Sequence, residues 1–199
     1  MRALDVAFIL DPVVKINPAM WNQVVKLIKS VLMRLDVNVF GTHVAVMTYN
    51  NGWSIVKSLS GEMSFDLMFA KSADVSARNI NSAIRLARLD IFSQSDLHYV
   101  VSGDRPDVPD VVVIVVGAGL SSNSTTSTTA SEAAESAGIK IVTVGVGPNV
   151  DVDDLKDIAT NATEAELLHA VAPENVTALL PTLLECIRDL VVDVPDLGK

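Results

Sequence analysis

Six consecutive β-branched residues, Val111-Val112-Val113-Ile114-Val115-Val116, constrain this chain more than any other feature in it. A strand with one solvated face alternates apolar and polar side chains, whereas a strand that is apolar at every position must be covered on both faces. Lys140 to Val146 is a second such run, and Asp5 to Leu10 is a third behind its leading carboxylate. Between the runs, apolar residues recur at helical spacing: Trp21, Val24, Val25, Ile28, Val31, Leu32 and Leu35, then Ile80, Ala83, Ile84, Ala87 and Ile91. Buried strands alternating with amphipathic helices predict an α/β fold: a doubly wound, mostly parallel sheet with helices on both faces. One strand departs from the parallel order. Gly41 to Tyr49 leads into Asn50-Asn51-Gly52, a hairpin sequence, and Trp53 to Leu59 returns as an antiparallel edge strand.

The remaining segments complete the alternation. Asn17 caps the first helix, with Pro18 at its first position. A short helical piece is expected around Phe65 to Ala70. A Ser/Thr-rich stretch leads to a helix of small residues, Ala130, Ala133, Ala134 and Ala137, which Gly138 stops. Asp151 to Ala159 reads as a short helix, with Asp153 and Asp154 complementing its dipole. Glu166 to Ala170 reads as the last strand. Val176, Leu179, Leu180, Leu183, Leu184 and Ile187 define a closing helix, and Pro181 either lies near its start or kinks it. In the proline-punctuated loop from Ser102 to Asp110, Arg105 and Asp107 are expected to be loop-packing or solvated groups. With 199 residues, of which 49% are hydrophobic, one domain over residues 1–199 is expected, its core at about 4–191 and a tail at 192–199.

Composition narrows the function. A net charge of −9 provides no basic patch for a phosphate backbone, which argues against nucleic acid. The longest apolar stretch, Val111 to Ala118, is too short to cross a bilayer, and Asp5 and Asp11 break up the N-terminal apolar segment, so neither membrane insertion nor a signal peptide is expected. Cys186 is the only cysteine, either a buried thiol on the last helix or a bridge to a segment elsewhere. His43, His98 and His169 have no serine or cysteine partner nearby, so no catalytic triad is read. Gly117-Ala118-Gly119 follows a strand, but position 122 is Ser122, so a tight turn is favoured over a dinucleotide loop. Neither an enzyme nor a cofactor is expected.

Five segments in order resemble one known family: Asp5 to Asp11, Gly41 to Tyr49, Ser102 to Pro109 before the strand Val111 to Val116, Gly138 to Gly147, and Asp153 to Ala159. The pattern resembles the von Willebrand factor A domain and covers nearly the whole chain. It is similar in flavour to the extracellular-matrix branch, such as the A domains of collagen VI and matrilins. The resemblance implies a metal-ion-dependent adhesion site at the carboxyl ends of the strands, with ligands from three loops. Asp11 matches the leading aspartate of the first loop, while Val13 and Lys15 stand where the family has serines. Arg78 stands at the threonine of the second loop. Gly117 stands at the aspartate of the third, and a one-residue shift would place Val116 there. Hard divalent cations need several oxygen ligands. The degenerate set therefore implies no bound metal, and Lys15, Arg78 or both are expected to pair with Asp11 in its place.

The implied role is metal-independent contact with matrix proteins, collagen or sister A domains, by one secreted domain of a larger multidomain chain. The Asn-x-Ser/Thr triplets at Asn123, Asn161 and Asn175 are candidate glycosylation sites that agree with secretion. Two alternatives are a metal-dependent adhesion module with ligands such as Asp74, Asp11 and Ser121, and a nucleotide-using α/β enzyme.

Overall fold

The computed structural model describes residues 3–12, 14, 17–48, 54–60, 79–92, 103–118 and 124–192. β1 (Asp5–Leu10) leads to α1 (Pro18–Leu32), followed by β2 (His43–Thr48) and β3 (Ser54–Ser60). α2 (Ile80–Leu86) runs directly into a π-helical turn, Ala87–Ile91. Then come β4 (Asp110–Val116), α3 (Ser124–Glu135), β5 (Lys140–Val146), α4 (Val152–Ile158), α5 (Ala162–Leu167) and β6 (His169–Ala170). The chain closes with α6 (Pro173–Val176), a 3-10 turn at Thr177–Leu179, and α7 (Leu180–Val192).

The strands lie in the order β3-β2-β1-β4-β5-β6. β2, β1, β4, β5 and β6 are mutually parallel, and β3 runs antiparallel to β2, with Thr48 opposite Ser54 and a register irregularity near Val46. The strands with continuous apolar runs are central, and their alternate residues feed two separate cores. Val6, Phe8, Leu10, Val111, Val113 and Val115 pack with Val24, Ile28 and Val31 of α1 and with Leu183 and Ile187 of α7. Ala7, Ile9, Val112, Ile114 and Val116 pack on the other face with Ala83 and Ile84 of α2, Ala134 of α3 and Leu155 of α4. This is why no polar side chain interrupts β4: its period-two pattern has no solvated face.

Local chemistry sets the boundaries. Asn17 Oδ1 accepts from the amides of Ala19 and Met20 at 3.0 and 3.2 Å, so α1 begins at Pro18. Asp151 caps α4 through the Asp153 amide at 2.9 Å, and Pro181 lies in the first turn of α7. Gly138 takes φ +85° just after α3. Two expectations are corrected. Glu166 to Ala170 is not one strand: Ala162–Leu167 is helical, capped by Asn161, and β6 is only His169–Ala170. The Ser/Thr-rich stretch does not merely lead to a helix; α3 already begins at Ser124, while Ala137 lies beyond its end. The signal for α5 was the Asn161-x-x-Glu164 cap, in which Asn161 Oδ1 accepts from the Thr163 amide at 3.1 Å and its Nδ2 donates to Glu164 at 2.8 Å. The expected helix at Phe65 to Ala70 and the Asn50-Asn51-Gly52 turn lie outside the described residues.

Candidate functional site

Because the parallel strands all point one way, the sheet has two chemically distinct ends. Their carboxyl ends form a crest, where ligands of open α/β sheets bind, and their amino ends form a base. Asp11 stands at the crest directly after β1. It is fully buried, its amide donates to Val115 O at 2.9 Å, and its carbonyl accepts from the Val14 amide at 3.2 Å. Its carboxylate is engaged as well: Oδ2 accepts from the Gly117 amide at 3.0 Å, which ties the first loop to the third.

Gly117 leaves no room for a side chain. A Cβ there would lie 2.7 Å from Val14 Cγ2 and 2.9 Å from the Val14 amide nitrogen. Val14 is buried in the α1-side core, so the first loop turns inward and packs its hydrocarbon against the backbone of the third. Gly147, at φ +114°, flanks the same spot, where a Cβ would stand 3.5 Å from Gly117 O. Among the described residues, the crest thus brings Asp11 and Gly117 together. Val13, Lys15 and Arg78 lie outside the described residues, as do Asp74, Ser121 and Asn123, so the expected pairing of Asp11 with Lys15 or Arg78 is not placed.

The base holds a constellation that sequence reasoning missed. Arg105 was expected to be a loop-packing or solvated group; it is instead the ion-pair partner of Asp5, a carboxylate with no solvent exposure. Arg105 Nε and Nη2 donate to Asp5 Oδ1 at 3.0 and 2.5 Å, its amide donates to Asp5 Oδ2 at 3.0 Å, and Nη2 also reaches Leu4 O at 2.9 Å. Asp107 is exposed. Asp5, Asp104 and Asp110 bring carboxylate oxygens within 4.8 Å of one another. One guanidinium cannot neutralise three carboxylates, so the cluster favours a protonated acid. Burial first, then the charges of Asp104 and Asp5, push the Asp110 carboxyl up to about 8. Burial and then the Asp5 charge also raise Asp104, while its contact with Asp110 works the other way. The available signal was positional: Asp5, His43, Asp110, Lys140 and His169 each open a parallel strand.

Beside the base, the loop between α1 and β2 carries exposed apolar side chains, Met33, Val39 and Phe40, the last 91% exposed. The loop is nevertheless tightly bonded. Asn38 Nδ2 donates to Asp36 O at 3.0 Å, Asn38 Oδ1 accepts from the Phe40 and Gly41 amides at 2.9 and 2.8 Å, and Asp36 takes φ +52°. Of the remaining sequence candidates, Asn161 and Asn175 are exposed, and Cys186 lies on α7 with its side chain buried.

Two substitutions test these ends. Arg105→Ala strands the buried Asp5 carboxylate and should cost about 3 kcal/mol by denaturant unfolding, toward the lower edge for broken buried pairs because Arg105 keeps 22% exposure. Gly117→Ala forces its Cβ into the Val14 backbone and should cost about 1–3 kcal/mol by the same measurement.

The von Willebrand factor type A domain family model matches residues 5–183. Among solved structures, proximal thread matrix protein 1 (PTMP1) from the mussel byssus, in a form with a zinc-occupied MIDAS motif, superposes with a TM-score of 0.78 at 14% identity, over 94% of this chain and 48% of that one. A further PTMP1 structure gives 0.72 at 19% identity, over 93% and 46%. The chain thus spans about half the length of these neighbours, and at such identities the likeness carries the fold alone. No curated protein sequence matches it. The family match covers most of the chain, and the sheet order, two-faced core and crest aspartate agree with it: this chain belongs to the von Willebrand factor type A domain family.

Proposed function

We propose that this domain is an extracellular-matrix protein–protein interaction module that makes its contacts without a crest cation. Type A domains are in general protein-interaction modules. The observation that carries the metal-independent reading is the junction of Asp11 and Gly117. Asp11 spends one carboxylate oxygen on the Gly117 amide, and Val14 fills the space that a side chain at position 117 would need. Val13, Lys15 and Arg78 add hydrocarbon and positive charge at the positions where the family places oxygen donors. A divalent cation held by so few oxygens binds weakly. Binding strength then comes from shape and buried anchors rather than from a metal bridging to a partner carboxylate.

The partner class we favour is matrix protein, either collagen or sister A domains, with the domain secreted as part of a longer chain. The likeness to a byssus thread matrix protein supports this setting. Asn161 and Asn175 are exposed and open to glycan attachment, although a glycan on Asn161 would share the nitrogen that now donates to Glu164. No catalytic role is assigned.

A second reading, metal-dependent adhesion, has one observation in its favour, the zinc in the MIDAS motif of PTMP1. Solid-phase binding to collagen, with and without chelator, separates the two. Saturable binding unchanged by EDTA is the expected result, whereas binding abolished by EDTA and restored by Mg²⁺ or Zn²⁺ would favour the second reading.

A further inference from the structure

We propose that the base of the sheet is a proton-operated latch: one proton held between Asp104 and Asp110 keeps the 103–109 turn seated on the strands, and His43 passes that restraint to the loop carrying Val39 and Phe40. The geometry of the base carries this. The turn is fastened by the Arg105 amide on Asp5 Oδ2, the Asp5 amide on Pro109 O at 3.0 Å, and the Val108 amide on Arg105 O at 3.0 Å. The first of these bonds ends on a carboxylate of the trio itself. His43 faces Asp5 across the β1–β2 ladder, and its ring joins the two loops, with Nδ1 3.3 Å from Gly103 O and Nε2 3.2 Å from Val39 O. A neutral imidazole donates through one nitrogen only, so the ring bonds one of these two carbonyls at a time, and displacing Gly103 removes one of the two choices. Gly103 also packs closely on β3: at φ +75°, a Cβ there would lie 2.3 Å from Leu59 O.

Among the described residues, few charged groups face Asp110. Asp5 comes from β1, Asp104 and Arg105 from the turn itself, and on the β5 side Lys140 lies opposite Val111, one residue further on. With the proton in place, the trio and Arg105 carry a net charge of about −1; without it, about −2 within a half-buried cluster, with Asp104 and Asp110 repelling. Asp110 holds its proton more tightly in the folded protein than in the unfolded chain. Its contribution to stability is therefore fully present below the ordinary carboxylate range and is lost as pH rises through about 8. Alkali should open the turn and loosen its hold on the Phe40 loop, while the crest stays closed.

Amide hydrogen exchange, corrected for the intrinsic pH dependence of exchange, tests this on the intact domain. Protection of the Arg105, Val108 and Thr42 amides should fall by up to roughly tenfold between pH 7 and pH 9. The Asp11 amide, bonded to Val115 O at the crest, should hold its protection. Asp110→Asn, a neutral mimic of the protonated acid, should keep all of these within twofold across the same range. Carboxyl ¹³C shifts give a second readout that needs no variant, with Asp110 titrating well above the ordinary carboxylate range. Equal wild-type protection at both pH values, a variant that loosens as the wild type does, or an Asp110 carbon titrating with ordinary carboxylates would each overturn the latch.

Discussion

Burial of β1 and β4 on both faces is the constraint from which the rest follows. With helices above and below, no side chain in the middle of these strands can be polar without an internal partner. Chemistry is therefore confined to the strand ends, and there Asp11 and Asp5 bracket β1 as two buried carboxylates with different solutions to the same desolvation problem. Asp11 accepts from a backbone amide of the neighbouring loop, and Asp5 accepts from a guanidinium and an amide of the turn before β4. Each draws a loop onto its end of the sheet.

The two ends have diverged in consequence. At the crest, Val14 lies against Gly117, and the Asp11 carboxylate ties the first loop to the third. At the base, polar groups are concentrated, and their balance depends on one arginine and one proton. Phe40, held out into solvent by the Asn38 and Asp36 bonds, stands beside the base rather than the crest.

Much of the fold was legible because it rests on patterns with one physical solution. The β-branched run of β4, the Asn17-Pro18 start of α1 and the Gly138 stop each have a single economical reading. Glu166 to Ala170 misled because a short apolar segment cannot distinguish strand from helix, and the Asn161 cap decided for helix. The sequence shows Val13 and Lys15 where the resemblance expects serines, but the crest's geometry was not legible: the contact between Val14 and Gly117 joins positions more than a hundred residues apart. The Arg105–Asp5 pair was illegible for the same reason. Only the register of β1 against β4 brings the turn carrying Arg105 to the strand opened by Asp5.

The central claim is that the crest is closed to hard divalent cations, and calorimetric titration of chelator-treated protein with Mg²⁺ and Mn²⁺ tests it most directly. No binding heat at millimolar metal, alike for the wild type and Asp11→Ala, is the predicted result. Micromolar uptake by the wild type that disappears in Asp11→Ala would contradict it.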